Sequence, residues 1–135
     1  MIRSARTDEV VSIPELWERM GLGLRLGDAP GSIEGLLRRD SDSLLVAEED
    51  GRIVGTLIAA WDGWRGNLYR LGVLPEDRRR GIATALVRAG ERHLFERGCR
   101  RVVAAVGQEN RDATAFWRAI GYEIQDVHRL VRNLE

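Results

Sequence analysis

Residues 68–86 read LYRLGVLPEDRRRGIATAL. The stretch passes from an apolar run, through a proline and three consecutive arginines, to a glycine and then an amphipathic run. Its first part belongs to a predicted strand over 67–74, ended by Pro75. Its last part opens a predicted helix over 82–97, with Gly98 at the C-terminal end. A helix starts with unpaired N–H groups and a partial positive charge, so cations just before it are unfavourable unless an anion joins them. A solvated turn is one reading of Arg78, Arg79 and Arg80. The other is a phosphate site on the N–H groups from Arg79 to Thr84, including Ile82. There Gly81 and Ala83 give the backbone room to approach, the Thr84 hydroxyl adds a donor, and the arginines reach further phosphates. The pattern alone does not choose between them.

Outward from this stretch, the chain alternates short apolar runs with helical periodicity. Residues 2–5 suggest a strand. Val10, Ile13, Leu16, Trp17 and Met20 repeat at helical spacing over 8–20, where Pro14 implies a late start or a kink. Residues 21–31 form a loop whose Gly21 and Gly23 lack the third glycine of a dinucleotide fingerprint and follow a helix rather than a strand. A short helix is expected over 32–39, with Ser32 as N-cap. Strands over 43–48 and 52–60 flank Asp50-Gly51, a strong hairpin signal. The loop WDGWRG, 61–66, leads into the strand at 67. Beyond the long helix come a strand over 101–106, a helix over 112–120 closed by Gly121, and strands over 122–124 and 127–131. The order is β-α-α-β-β-β-α-β-α-β-β, a single α/β (α+β) domain over 1–135 with a mixed sheet covered by helices.

Composition narrows the function. The 135 residues are 44% hydrophobic and 31% charged with zero net charge, which speaks against nucleic acid or an acidic membrane surface as partner. All 21 basic residues are arginine, so a Walker A lysine, a Schiff base and a catalytic ammonium are excluded. One cysteine, Cys99, forms no internal disulfide and reads as core. Neither Cys99 nor the two separated histidines, His93 and His128, gives metal-ligand spacing. No apolar run is long enough for a membrane span and no leader pattern is present, so a cytoplasmic protein is expected; the use of arginine for every basic residue suggests a GC-rich bacterial genome.

Two motifs in order carry a resemblance. LYRLGVLPEDRRRGIATAL resembles motif A of the GNAT superfamily of N-acetyltransferases, and residues 110–122, NRDATAFWRAIGY, resemble its motif B. The LWER of residues 16–19 and the WDGWRG loop look most like bacterial YpeA-type members. The resemblance spans residues 2–131. It implies a mostly antiparallel sheet of about seven strands with a splayed parallel pair at its centre, covered by about four helices. It implies coenzyme A binding and transfer of acetyl from acetyl-CoA to a primary amine: a small amine, an amino acid, a peptide N-terminus or a protein lysine. In the family, pantetheine inserts between the two splayed strands. The matching positions here are Leu71, Gly72 and Val73 for pantetheine, the turn from Arg78 to Thr84 for pyrophosphate, and Asn110, Phe116 and Trp117 from motif B. A homodimer is compatible with the resemblance.

The pattern departs from the family where proton transfer is expected. The motif B position that often holds an acidic tyrosine is Trp117, whose indole N–H gives up no proton near neutral pH. Asn67 and Ala105 occupy the two positions where relatives carry a glutamate base. Tyr69 shares a strand face with Asn67, and Asp62 lies in the adjacent loop; these are the remaining catalytic candidates, through a water relay or with an amine that arrives neutral. Trp61 and Trp64 either line an acceptor pocket or pack over the sheet. The alternative to an enzyme is a GNAT-fold acyl-CoA-binding module without turnover.

Overall fold

The computed structural model describes residues 1–134; Glu135, the last residue of the expected domain, lies outside the described residues. Two compact units divide the chain, one over Met1–Ala105 and one from Val106 onward. The first holds β1 (Ile2–Ser4), α1 (Ile13–Arg19), α2 (Pro30–Arg39), β2 (Leu44–Glu49), β3 (Arg52–Trp61), β4 (Gly66–Val73), α3 (Ile82–Glu96) and β5 (Val102–Ala104). Its sheet runs β1-β2-β3-β4-β5. All neighbours are antiparallel except β4 and β5, which are parallel.

Local chemistry explains most boundaries. Asp50 and Gly51 both take positive φ, 51° and 76°, the conformation of a two-residue hairpin whose twist matches its strands. Pro14 sits in the first turn of α1, where its missing N–H costs no hydrogen bond. The helix expected over 8–20 therefore starts late, and Asp8 falls in a separate 3-10 turn, Thr7–Glu9. The expected N-cap of α2, Ser32, is corrected to Ala29, which is extended at φ −67° and ψ 152°. Pro30 follows it because a φ fixed near −65° suits the first helical position.

The sheet is covered on both faces. Leu86, Val87, Gly90 and Leu94 of α3 are buried. A methyl on Gly90 would lie 2.8 Å from Leu57 Cδ2 and 3.4 Å from Ala59 Cβ and Leu68 Cδ2, so α3 comes closer to the sheet than any other residue would allow. Thr56 lies between Gly55, where a Cβ would meet Leu86 and Ile82 of α3, and Leu57, which packs against Gly90 of α3, and therefore points to the other face. There it meets α1: Trp17 Nε1 donates to Thr56 Oγ1 at 2.9 Å, so both buried polar groups are satisfied.

The second unit is built on α4 (Arg111–Ala119). Asn110 caps it, with Oδ1 accepting the Ala113 N–H at 3.0 Å. Trp117 is buried, edge-on to Phe116 and Tyr122 with ring centroids at 5.6 and 4.8 Å. The strands expected over 122–124 and 127–131 are a correction: among the described residues none forms there, and Ile124, Val127, Leu130 and Val131 are exposed. Alternating apolar residues predict a strand only if a sheet edge receives them. The sheet accordingly has five strands among the described residues rather than about seven. The parallel pair lies at its edge, not at its centre.

Candidate active site

A β-bulge interrupts β4. Between the pairs Thr56↔Gly72 and Ile58↔Tyr69, the single residue Leu57 faces both Arg70 and Leu71. Arg70 takes the left-handed conformation, φ 55°. Its carbonyl turns inward and accepts from Thr56 Oγ1 at 2.9 Å, fixing the bulge to the same hydroxyl that receives Trp17. A bulge bends its strand and increases the local twist. The parallel ladder with β5 runs only from Gly66↔Val102 to Leu68↔Ala104, yet β4 continues to Val73. Beyond Leu68, β4 has no strand partner on the β5 side among the described residues, and the backbone groups of Leu71 and Val73 lie along that edge.

The same strand leads through Pro75–Asp77 to the arginine turn and α3. Arg79 and Gly81 both have positive φ, 61° and 80°. A Cβ at Gly81 would meet nothing within 4 Å; glycine stands there for its backbone angle, not for space. Among the described residues no side chain caps α3, and its first intrahelical bond is from Ala85 N–H to Gly81 O at 3.0 Å. The N–H groups of Ile82, Ala83 and Thr84 are the unpaired donors that an anion seeks. The Ile82 side chain faces the sheet beside Gly55, so only its backbone serves the turn.

The three arginines separate into different roles. Arg78 donates from Nε to Val73 O at 3.1 Å and from Nη2 to Met20 O at 2.9 Å, tying the turn to the end of β4 and to α1. Arg80 bridges Glu49, at 2.7 Å, and Asp77, at 2.9 Å; hydrogen bonding to Glu49 leads in raising its pKa above the ordinary value. Asp77 is buried, and its Oδ2 has no hydrogen-bond partner among the described residues. Arg79 makes no ion pair or hydrogen bond among the described residues. The named donor atoms of Arg78 and Arg80 therefore already have protein acceptors, whereas those of Arg79 have none among the described residues.

Other expected site residues fall as follows. Asn67 and Tyr69 pair with Ala60 and Ile58 and share the face of Thr56; Tyr69 is 47% exposed. Gly72 lies on that face too, but a Cβ there would stand 2.8 Å from Met20 Sδ and 2.9 Å from Leu22 Cδ1. Its missing side chain makes room for protein rather than for a ligand. Asp62 Oδ1 accepts from the N–H groups of Trp64, at 2.7 Å, and Arg65, at 2.6 Å, so the carboxylate builds the turn. Trp64 does not pack on the sheet: it is 71% exposed, with the Arg65 guanidinium 3.8 Å from its ring centre. Asn110, Phe116 and Trp117 belong to the second unit. Cys99 is buried as expected, and no group of metal ligands occurs among the described residues. Two surface cavities of about 350 and 340 Å³ include no residue of β4 or of the arginine turn. The candidate site is an open strand edge beside a helix start. Sequence reading passed over Arg70; the signal was Thr56, a polar residue inside an otherwise apolar strand.

Comparison with known proteins agrees with this geometry. The model of the Acetyltransferase (GNAT) family matches residues 7–122. A curated acetyltransferase of Pectobacterium atrosepticum is 38% identical over 98% of this chain and 94% of its own length. The PaiA N-acetyltransferase of Thermoplasma acidophilum in complex with coenzyme A has a TM-score of 0.81 at 16% identity, covering 95% of this chain and 92% of that one. The aminoglycoside acetyltransferase AAC(6′)-Iy, solved with a bisubstrate analogue, has a TM-score of 0.79 at 23% identity over 99% and 97%. With an open, bulged β4 leading into an uncapped α3, and a family match across most of its length, the chain belongs to the GNAT family of acetyltransferases.

Proposed function

We propose that the enzyme transfers acetyl from acetyl-CoA to a primary amine. The observation that carries this is the continuity of β4 and α3: an open strand edge runs directly into a turn of unpaired N–H groups. An extended amide-bearing arm can hydrogen-bond along the first, and a pyrophosphate can sit on the second. Leu71 and Val73 would hold pantetheine through their backbones. The N–H groups of Ile82, Ala83 and Thr84, with the Arg79 side chain, would hold the pyrophosphate. The donor supplies an electrophilic thioester carbon and a thiolate leaving group. A β4 N–H aimed at the thioester oxygen would lower the barrier by about 3 kcal/mol.

Proton transfer in this reading needs no strong acid or base. The leaving group is an alkyl thiolate, and a reference alkyl thiol such as cysteine has a pKa of about 8.5, so solvent can protonate it. Trp117 packs within the second unit and donates no proton. On the acceptor side, Asn67 and Tyr69 share a face and orient water that takes the proton from the attacking amine. The amine is a small amine, an amino acid, a peptide N-terminus or a protein lysine. Among the described residues no helix is long and apolar enough to cross a membrane, and we place the enzyme in the cytoplasm. The family match across residues 7–122 supports treating both units as one domain.

Gly81→Asp tests the donor site. It sets a charge and a side chain at the helix start, in a backbone conformation that costs a non-glycine residue about 1–2 kcal/mol. Calorimetry should record at least a tenfold loss of acetyl-CoA affinity in the folded variant. Unchanged affinity would remove the pyrophosphate from this turn.

A further inference from the structure

The bulge that opens β4 is also tied to the loop over residues 21–29. The Arg70 guanidinium stacks on Trp17, 5.0 Å from the ring centre. Its Nη1 donates to Leu22 O at 3.1 Å, and its Nη2 pairs with the Asp28 carboxylate. Both partners of that ion pair are largely buried, at 12% and 14% side-chain exposure. Asp28 Oδ2 also accepts the Arg25 N–H at 2.7 Å, and the Asp28 N–H donates to Arg25 O at 3.1 Å. The turn over 25–28 is closed on itself and fixed to the strand by one arginine.

Two features make this tie more than surface decoration. The loop carries three glycines at positive φ, Gly21, Gly23 and Gly27, and exposed Leu24 and Leu26; beyond the backbone bonds of Gly21 and Leu22 to α1, the Arg70–Asp28 pair is its tie to the strand. Arg70 itself holds a left-handed conformation that disfavours any residue with a Cβ. Such strain persists only where the surroundings over-determine it, and a glycine there would relieve it. What arginine adds is the guanidinium that reaches Trp17, Leu22 and Asp28. The loop borders the face of β4 that carries Tyr69, because Leu22 packs against Gly72 on that same face.

We propose that Arg70 is a positioning residue that couples the donor edge to the acceptor-side loop. It rests on the acetyl-CoA reading above. The donor, bound through Leu71 and Val73, fixes the bulge next to it. Through Arg70 and Asp28 that fixation orders residues 21–29 as a wall for the incoming amine. Donor binding and loop order are then thermodynamically linked, and the acceptor meets a finished site only after acetyl-CoA is in place.

Amide hydrogen exchange on the full chain, with and without saturating acetyl-CoA, tests this, since exchange reads local opening directly. In the wild type, amides within 22–28 should exchange at least threefold more slowly with acetyl-CoA bound. Asp28→Ala removes the ion pair and every hydrogen bond the carboxylate accepts, and should abolish that slowing while the acetyl-CoA Kd stays within twofold. Arg70→Gly keeps a bulge-compatible backbone, loses the guanidinium and should behave the same way. A wild-type loop indifferent to bound acetyl-CoA, or slowing that survives in both variants, would overturn the coupling. Absence of acetyl-CoA binding in wild-type calorimetry would instead overturn the donor reading, and the coupling with it.

Discussion

At the scale of single residues, Asp62 shows how a carboxylate beside a reaction site can serve geometry alone. The Arg65 N–H, then the Trp64 N–H, hold its pKa below the usual carboxylate value. A group so held stays ionised at neutral pH and is a weak base for an amine proton. An asparagine in its place would accept the same two bonds through its amide oxygen and suits the turn equally well. Asp62→Asn should therefore leave kcat, the acceptor KM and the acetyl-CoA Kd unchanged within twofold in steady-state assays and calorimetry; a fall in kcat that deepens at low pH would make Asp62 the base. The arginine run carries a related lesson. Its composition is visible in the sequence, but the partners are not. Arg80 meets Glu49, 31 residues away, and Arg78 meets the Met20 carbonyl at a separation of 58. Only the folded chain separates the two anchoring arginines from Arg79.

At the scale of elements, ion pairs between neighbours set the acid response. Arg3 on β1 reaches Glu9, beyond the strand, and Glu48 on β2, each at 2.7 Å. Its side-chain hydrogen bonds lower the Glu9 pKa from 4.5 to about 2; burial works the other way, and the Arg6 N–H adds to the lowering. Because the folded state holds the Glu9 proton less tightly than the unfolded chain, this stabilisation is complete above pH 4.5 and lost as pH falls toward 2. Glu9→Gln should destabilise by about 1–3 kcal/mol at pH 7 and flatten the decline between pH 4.5 and 2, read from urea midpoints. An unchanged midpoint at pH 7 with the same acid slope would mean that the pair contributes nothing. Elements with local signals were legible beforehand: the Asp50-Gly51 hairpin, α3 with Gly98 behind it at φ 103°, and α4 closed by Gly121. The misreadings lay where local pattern depends on distant partners. The apolar alternation over 122–131 has no ladder, and the bulge at Arg70 follows from Thr56 and Trp17 across the sheet.

At the scale of the molecule, fold and chemistry meet in one continuous path, from the opened edge of β4 through the arginine turn to the start of α3. The family resemblance was carried by that path and by motif B, and the family match confirms it. The sequence could not disclose that the bulge also holds the loop over 21–29, because a left-handed arginine leaves no local signature. The central claim is amine-dependent acyl transfer from acetyl-CoA, and the chain suits a direct measurement because it contains no lysine and brings no ε-amine of its own to the assay. Free CoA thiol should be followed from acetyl-CoA alone and with a panel comprising a polyamine, an amino acid amide, an aminoglycoside and a lysine peptide, with mass spectrometry of each amine. The account predicts that at least one amine raises thiol release tenfold or more over the amine-free rate and appears as its N-acetyl product; acetyl-CoA that binds by calorimetry while no amine accelerates its cleavage would contradict it.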